Sequence, residues 1–195
     1  MSNSIRRAEA TLNNFELKIA GDYGSTRDRH PGDVGQEIPG APESVEENIL
    51  EGGEQFEQGR DNAHAFAEDE ELNQAEDYFE QAFESYETAV DEHLDYSEFE
   101  DLVDVDLVIN EAVDGRIDEE AVVEAAGLQT FVVDDLQSDQ SHVRRNMDDD
   151  DAYQFLEESE YDTETVVRDN YMQELNQAQQ YVDEGLEEIR ESPGL

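Results

Sequence analysis

The sequence contains no cysteine and no tryptophan, and lysine occurs only at position 18. Without cysteine the chain has no disulfides and no thiolate metal ligands, and no redox compartment can be inferred. No apolar run approaches the ~18 residues that cross a membrane, and the polar start MSNSIRR lacks the apolar segment of a secretory signal. We therefore predict a protein without membrane spans that stays where it is made.

The usual signatures of catalysis and cofactor binding are missing as well. The sequence has no glycine-rich phosphate loop, no nucleophile elbow and no histidine spacing such as HExxH. The stretch NEAVDGRIDEEA, residues 110–121, resembles a calcium loop, but Ala112 and Ala121 stand where that loop needs oxygen ligands. It therefore predicts a helix–turn–helix connection, and we predict neither a cofactor nor a metal site.

Acidic residues dominate what is present. The chain has 55 Asp and Glu residues against 11 Lys and Arg residues, for a formal net charge of -44 at pH 7. Leu, Ile, Val and Phe total 43 of 195 residues, a small apolar fraction for so charged a chain. Because like charges repel unless concentrated ions screen them, we predict salt-dependent folding and hydrated monovalent cations at the surface.

Ten of the eleven basic residues are arginine. Chains rich in acids and poor in lysine resemble the proteins of halophilic archaea, and here the resemblance covers the entire composition. It implies an environment, either the high-salt cytoplasm of such a cell or the virion of its virus, and does not imply an activity. The alternative, a disordered acidic regulatory chain, is disfavoured by regular helical patterns.

Apolar and small residues recur at helical spacing along three segments. The first segment has Val45, Ile49, Gly52, Phe56, Gly59, Ala63 and Phe66. The second has Leu72, Ala75, Phe79, Ala82, Tyr86, Ala89 and His93. The third has Val167, Tyr171, Leu175, Ala178, Val182, Leu186 and Ile189. We predict an all-α fold, a helical bundle with a long C-terminal helix from about Asp162 to Glu191 and an extended N-terminal arm.

Shorter patterns mark where the helices begin or break. Ser44 with Glu47, and Ser97 with Glu100, have the spacing of capping boxes, and Asp118 is placed to cap a short helix. Four consecutive aspartates in MDDDDAY, residues 147–153, are predicted at a helix N-terminus, where negative charge is favourable. The glycines at 52 and 59 indicate either a close approach by another backbone or, in EGG, a helix break.

The first 30 residues are nearly neutral, with five basic and four acidic residues. In them, NFELKIA alternates like a strand, whereas Ile5, Ala8, Leu12, Phe15 and Ile19 form a helical stripe, so the segment is amphipathic in either conformation. Five glycines and three prolines follow within residues 21–42. We predict an arm over residues 1–20, a linker over 21–42 and a helical domain over 43–195.

A neutral arm on a long linker suits contact with an acidic surface of another subunit, because arginine pairs well with carboxylates. The alternative is that the arm folds back onto its own domain. The predicted interface residues are Arg6, Arg7, Phe15, Leu17, Ile19, Arg27 and Arg29 in the arm region, and Tyr171, Leu175 and Val182 in the last helix. The last helix is expected to pair with the helix over residues 70–95 or with another subunit.

These features lead us to expect a non-enzymatic structural or assembly protein of a halophilic archaeon or its virus, acting as a homo-oligomer or within a larger assembly. Helical domains with exchanging arms look like the neck and connector proteins of tailed viruses, an analogy of architecture and not of matching motifs. One alternative is a regulatory or nucleic-acid-associated module that places the arm arginines, or HVRR at 142–145, on phosphates. Another is a small enzyme.

The predicted salt dependence can be tested by circular dichroism. The helical signal should rise steeply between about 0.1 M and about 2 M KCl, because the screening length falls from roughly 10 Å to less than roughly 3 Å. Full helicity in dilute buffer would contradict the assignment to a high-salt environment.

Overall fold

A computed structural model describes residues 2–26, 30, 32–129 and 135–191. Over these ranges the chain forms nine helices and no β-strand, which confirms the predicted all-α class. The helices are α1 (Asn3–Asp22), α2 (Glu43–Asn62), α3 (Asp69–Tyr96), α4 (Phe99–Leu102), α5 (Val105–Val113), α6 (Glu119–Ala125), α7 (Leu136–Asn146), α8 (Asp149–Glu158) and α9 (Thr163–Glu191). None of them is long and apolar enough to cross a membrane.

The chain divides into two compact units. The first consists of residues 1–96 and 171–195, and the second consists of residues 97–170. Helix α9 has 29 residues, about 43 Å at 1.5 Å per residue, and contributes its first turns to the second unit and the remainder to the first. The predicted boundaries at residues 20 and 42 therefore separate no units, and residues 43–195 are not one domain.

In the first unit, α1, α2, α3 and the C-terminal part of α9 form an up-down-up-down bundle. Hydrogen bonds from Ser85 to Gln55 and from Arg190 to Glu76 link α3 to α2 and to α9. Helix α1 runs antiparallel to α9, because the Ser4 hydroxyl donates to Glu188 while Lys18 pairs with Glu174. The second unit is inserted in the chain between α3 and the C-terminal part of α9.

The predicted apolar stripes form the core of this bundle. Their members are buried with one exception, Phe66, which lies between α2 and α3 and is 77% exposed. The third stripe is buried within the chain, so Tyr171, Leu175 and Val182 at 2%, 3% and 2% exposure are covered without a second subunit. Of the two predicted pairings of the last helix, the structure shows the one with α3, and these three residues are corrected from subunit-interface to core residues.

Helix α1 is the main correction to the predicted organisation. Ile5, Ala8, Leu12, Phe15 and Ile19 are 0% exposed in the bundle, so the first 20 residues are an integral helix and not an arm. The helical stripe therefore prevails over the strand-like alternation of NFELKIA. The physical reason is that the bundle needs α1 to cover the apolar faces of α3 and α9, and a nearly neutral segment enters it with little charge repulsion.

The predicted linker is also packed against the bundle. Its described residues after α1 are non-helical, as predicted, but Val34 and Ile38 are 6% and 0% exposed. The Asn13 side chain donates to the Asp33 carbonyl, and the Ile38 amide donates to Glu46. Residues 32–42, which we call the returning segment, therefore lie along the bundle and do not extend away from it.

The glycines of α2 explain how the helices approach so closely. Helix α2 is unbroken, and Gly52 and Gly59 face the rings of Tyr86 and Phe79, where a Cβ would lie 3.1 Å and 2.8 Å from ring atoms. The close approach of a backbone occurs instead at the neighbouring Gly53, which contacts Gly35 of the returning segment. Both predicted roles for these glycines therefore need revision, because the stripe glycines accommodate aromatic rings.

The second unit contains α4 to α8 and the start of α9 around a smaller core. Aspartates begin most of its helices, because Asp104, Asp118, Asp135 and Asp148 each accept a backbone amide of the first turn. The cap at Asp118 was predicted, and α5 and α6 form the predicted helix–turn–helix. The predicted boxes at Ser44 and Ser97 do not form, since α2 and α4 lack side-chain caps.

A glycine substitution tests the contact between α2 and the returning segment. Gly53→Ala should lower the free energy of unfolding by about 1–3 kcal/mol, because its Cβ would overlap the Gly35 backbone. Gly21→Ala is the matched control: the nearest atom to its Cβ is 4.0 Å away, and alanine should stabilise α1 by up to about 1 kcal/mol. Chemical unfolding in high salt measures both values, and equal effects would contradict the contact.

Candidate functional site

A histidine with two polar partners lies where the C-terminal ends of α1 and α3 meet α9. His93 is 0% exposed, and its Nε2 is 2.9 Å from Asp22 Oδ2. Its Nδ1 is 2.6 Å from the hydroxyl oxygen of Tyr23. Tyr171 of α9 donates its hydroxyl proton to the same oxygen of Asp22. Three helices therefore assemble one hydrogen-bonded cluster around a buried imidazole.

The donors of this cluster determine the tautomer of a neutral imidazole. The Asp22 side chain is 31% exposed, and in its ionised form it can only accept hydrogen bonds. Nε2 of His93 must then carry the proton that is donated to Asp22. The lone pair of Nδ1 consequently points at Tyr23, whose hydroxyl donates to it. Asp22 thus orients a base, and the base faces a phenol.

Aromatic packing holds the same groups in place. The His93 ring meets the rings of Tyr23 and Tyr171 edge to face, with centroid distances of 5.1 Å and 5.3 Å. The Lys18 ammonium lies 5.2 Å from the centroid of the Tyr171 ring and 3.6 Å from Glu174. A phenol, a base and an orienting acid in hydrogen-bond contact have the arrangement that activates nucleophiles in enzymes.

A second buried carboxylate has a structural role. Glu16 is 0% exposed, and its Oε1 accepts hydrogen bonds from the Gly35 amide at 2.6 Å and the Tyr86 hydroxyl at 2.9 Å. The ring of Tyr86 also packs edge to face on Phe15, at 5.6 Å between centroids. Glu16 therefore joins α1, α3 and the returning segment, and its donors satisfy the buried oxygen.

The second unit contains a carboxylate cluster around Arg116. Its guanidinium lies 2.8 Å from Glu111, 3.3 Å from Asp114 and 3.5 Å from Asp169. Burial raises the pKa of Glu111 above its ordinary value, and the charge of Arg116 offsets part of that rise. One guanidinium thus pairs with three carboxylates. These ion pairs connect α5, the turn after it and the start of α9.

A groove of about 480 Å³ in the second unit contains the arginines of HVRR. Arg144 pairs with Asp106, and both side chains are 58% exposed. Arg145 also lines the groove, together with Asp104, Asp148 and Asp149. Two guanidinium groups thus share the groove with four carboxylates, which would repel a phosphate. Among the described residues, no group of three or more His, Asp and Glu side chains is arranged to hold a metal ion.

The remaining predicted interface residues have different surroundings. Phe15 and Ile19 are core residues, as described above, and Leu17 is half-buried. Arg6 is exposed, while Arg7 donates to the Tyr181 hydroxyl at 2.8 Å and stacks 4.0 Å above its ring. Arg27 and Arg29 lie outside the described residues. Burial in their own bundle makes Phe15 and Ile19 unavailable as anchors to a partner, so that prediction is wrong.

The cluster at His93 includes residues that the sequence patterns did not reveal. His93 was recognised as a packed position, but Tyr23 and Asp22 lie 70 and 71 residues away along the chain. No spacing rule connects residues so far apart. Glu16 had a detectable signal, because it follows Leu12 by four residues and precedes Ile19 by three, on the buried face of α1.

Comparisons with known proteins add no relationship to this geometry. No protein-family model, curated protein or solved structure matches the chain.

The contributions of Glu111 and Glu188 to stability should depend on pH in opposite directions. The pKa of Glu111 is raised, so the stability it contributes is present at low pH and decreases as pH rises through that pKa. The pKa of Glu188 is lowered by hydrogen bonds from Ser2 and Ser4, so its contribution is present above the unfolded-state pKa and decreases as pH falls. Thermal unfolding of Glu111→Gln and Glu188→Gln against the wild type, between about pH 2 and pH 7, measures both differences, because the change at Glu188 lies below the ordinary glutamate pKa.

From low to high pH, the Glu111→Gln variant should gain stability relative to the wild type, and the Glu188→Gln variant should lose it. If the stability of both variants relative to the wild type changed in the same direction with pH, general charge repulsion, and not these local environments, would control the pH dependence.

Proposed function

We propose that this chain is a non-catalytic structural protein that associates with other subunits in concentrated salt, in a halophilic archaeon or its virus. The observation that carries the proposal is the contrast between core and surface. The apolar stripes are packed inside the chain, while the net charge of -44 remains to be screened by ions.

Association needs a surface, and one end of the first unit has suitable chemistry. Phe66 is 77% exposed in the connection between α2 and α3. Arg60 near the end of α2 pairs with Glu9 of α1, so the exposed Arg6, one turn earlier, belongs to the same end of the bundle. Exposed aromatic and arginine side chains are the residue types that most often anchor protein interfaces.

Charge complementarity favours an acidic partner, including a second copy of this chain. Arginine can pair with carboxylates through two parallel hydrogen bonds, and short-range pairs of this kind persist when long-range repulsion is screened. Phosphate-containing partners are disfavoured, because the arginines of HVRR share their groove with four aspartates. The nearly neutral charge of α1 thus allows it to pack in the bundle. Arg6 stays exposed and is available to contact an acidic partner.

The proposal predicts the behaviour of two aromatic variants. Among the described residues, the exposed large apolar side chains are Phe66 and Tyr96, at 77% and 68%. Phe66 lies just before the 28-residue helix α3 and Tyr96 is its last residue, so the two side chains are about 40 Å apart. Phe66→Ser should reduce the mass measured by light scattering in about 2 M KCl to that of the monomer, whereas Tyr96→Ser should leave the mass unchanged.

Arg6→Glu should weaken association in the same measurement without changing helicity. A wild-type protein that is monomeric at millimolar concentration would contradict self-association, and a pull-down with the Phe66→Ser protein as control would then test association with a different subunit. Equal loss of association in Phe66→Ser and Tyr96→Ser would contradict the assigned surface.

A further inference from the structure

We propose that Tyr23 is a modification site, an acceptor of activated acyl groups whose phenol is deprotonated by His93. This chemistry does not depend on the proposed assembly, because it rests on the cluster of Asp22, Tyr23 and His93 alone. Three observations carry it: the contact between phenol and imidazole, the orientation of the imidazole, and the partial exposure of the acceptor.

The contact provides a base for the phenol. A tyrosine hydroxyl has an ordinary pKa of about 10, so a free phenol is a weak nucleophile at neutral pH. In this cluster the hydroxyl of Tyr23 lies 2.6 Å from Nδ1 of His93, within the range for direct proton transfer. The proton therefore has an acceptor at the moment when the oxygen attacks.

The orientation comes from Asp22. Its carboxylate holds Nε2 at 2.9 Å, which places the proton on Nε2 and the lone pair of Nδ1 toward Tyr23. As His93 becomes positively charged, the same carboxylate stabilises that charge. Asp22 is thus a positioning residue, which acts on Tyr23 through the histidine.

Exposure and charge identify the class of donor. Of the two phenols in the cluster, Tyr23 is half-buried whereas Tyr171 is covered at 2%, so Tyr23 is the phenol that a reagent can approach. The C-terminal end of α1 carries partial negative charge beside the Asp22 carboxylate. These negative charges repel a phosphoryl donor that carries two negative charges, whereas they do not repel a neutral acyl donor.

The step balances with an activated ester as co-reactant. The Tyr23 oxygen forms a bond to the acyl carbon, and the bond from that carbon to the leaving alkoxide or phenolate oxygen breaks with its electron pair. The phenolic proton passes to Nδ1 of His93, and the leaving oxygen then takes up a proton from His93, directly or through solvent. The product is an O-acyl tyrosine and a released phenol or alcohol, with no change in oxidation state.

The test uses p-nitrophenyl acetate on the full chain in about 2 M KCl, with peptide mass spectrometry to locate and quantify acetylation. Tyr96 provides the internal control, because it is 68% exposed and, in the part of the chain that the structure describes, its hydroxyl forms no hydrogen bond to a histidine. General base catalysis contributes about 10²–10⁴-fold, so even with its partial burial Tyr23 should be acetylated at least about tenfold faster than Tyr96. Acetylation of Tyr96 at an equal or higher rate would overturn the proposal.

Variants distinguish the role of His93 as a base from its role in packing. Tyr23→Phe should abolish labelling at this position and leave Tyr96 unchanged. His93→Gln retains a hydrogen-bond acceptor without basicity, and it should reduce the rate at Tyr23 by at least about tenfold while helicity is preserved. An unchanged rate in a folded His93→Gln protein would show that the histidine does not act as a base.

A spectroscopic measurement covers the case in which His93→Gln fails to fold. In the wild type, the ¹⁵N shifts of His93 should report a protonated Nε2 and an unprotonated Nδ1, and Asp22→Asn should shift this tautomer balance and slow acetylation of Tyr23. The opposite tautomer in the wild type would overturn the assigned direction of proton transfer. Reaction of Tyr23 with p-nitrophenyl phosphate at a rate equal to that with the acetate would overturn the choice of acyl donors.

Discussion

Repulsion among carboxylates is the constraint that this chain must meet in order to fold. With 55 acidic and 11 basic residues, most carboxylates have no basic side chain to pair with. In dilute solution each would interact with its neighbours over roughly 10 Å, a distance comparable with the spacing of packed helices. Mobile ions that shorten that range would favour a core built from a small apolar fraction.

Hydrogen bonds to carboxylates show how the chain uses its abundant residue type in the fold. The buried Glu16 accepts an amide and a phenol proton, the half-buried Glu46 accepts the Ile38 amide, and exposed aspartates cap helices of the second unit. Each of these contacts employs neutral donors, whose hydrogen bonds are short-ranged and survive in concentrated salt. Internal hydrogen bonding, and not ion pairing alone, thus compensates the carboxylates that folding removes from water.

The scarce basic residues are placed where several acids meet. Arg116 contacts three carboxylates in the second unit, and Arg60 bonds Glu9 across α1 and α2. Arginine suits these positions, because its planar fork donates to more than one acceptor and stays charged. The first helix carries fewer acids than the rest of the chain, so it can occupy a place between α3 and α9 without adding repulsion.

The helical class, the extents of α3 and α9 and their buried faces follow from the sequence by itself, because apolar spacing near 3.6 residues is a local property. The sequence also showed that residues 1–20 have an apolar face, but either a partner or the chain's own bundle could cover it. Tertiary structure decided that α1 packs within the chain and that residues 97–170 form a separate unit. It also brought His93 to Tyr23 and Asp22, because the parallel course of α1 and α3 joins residues 70 positions apart, which no local pattern encodes.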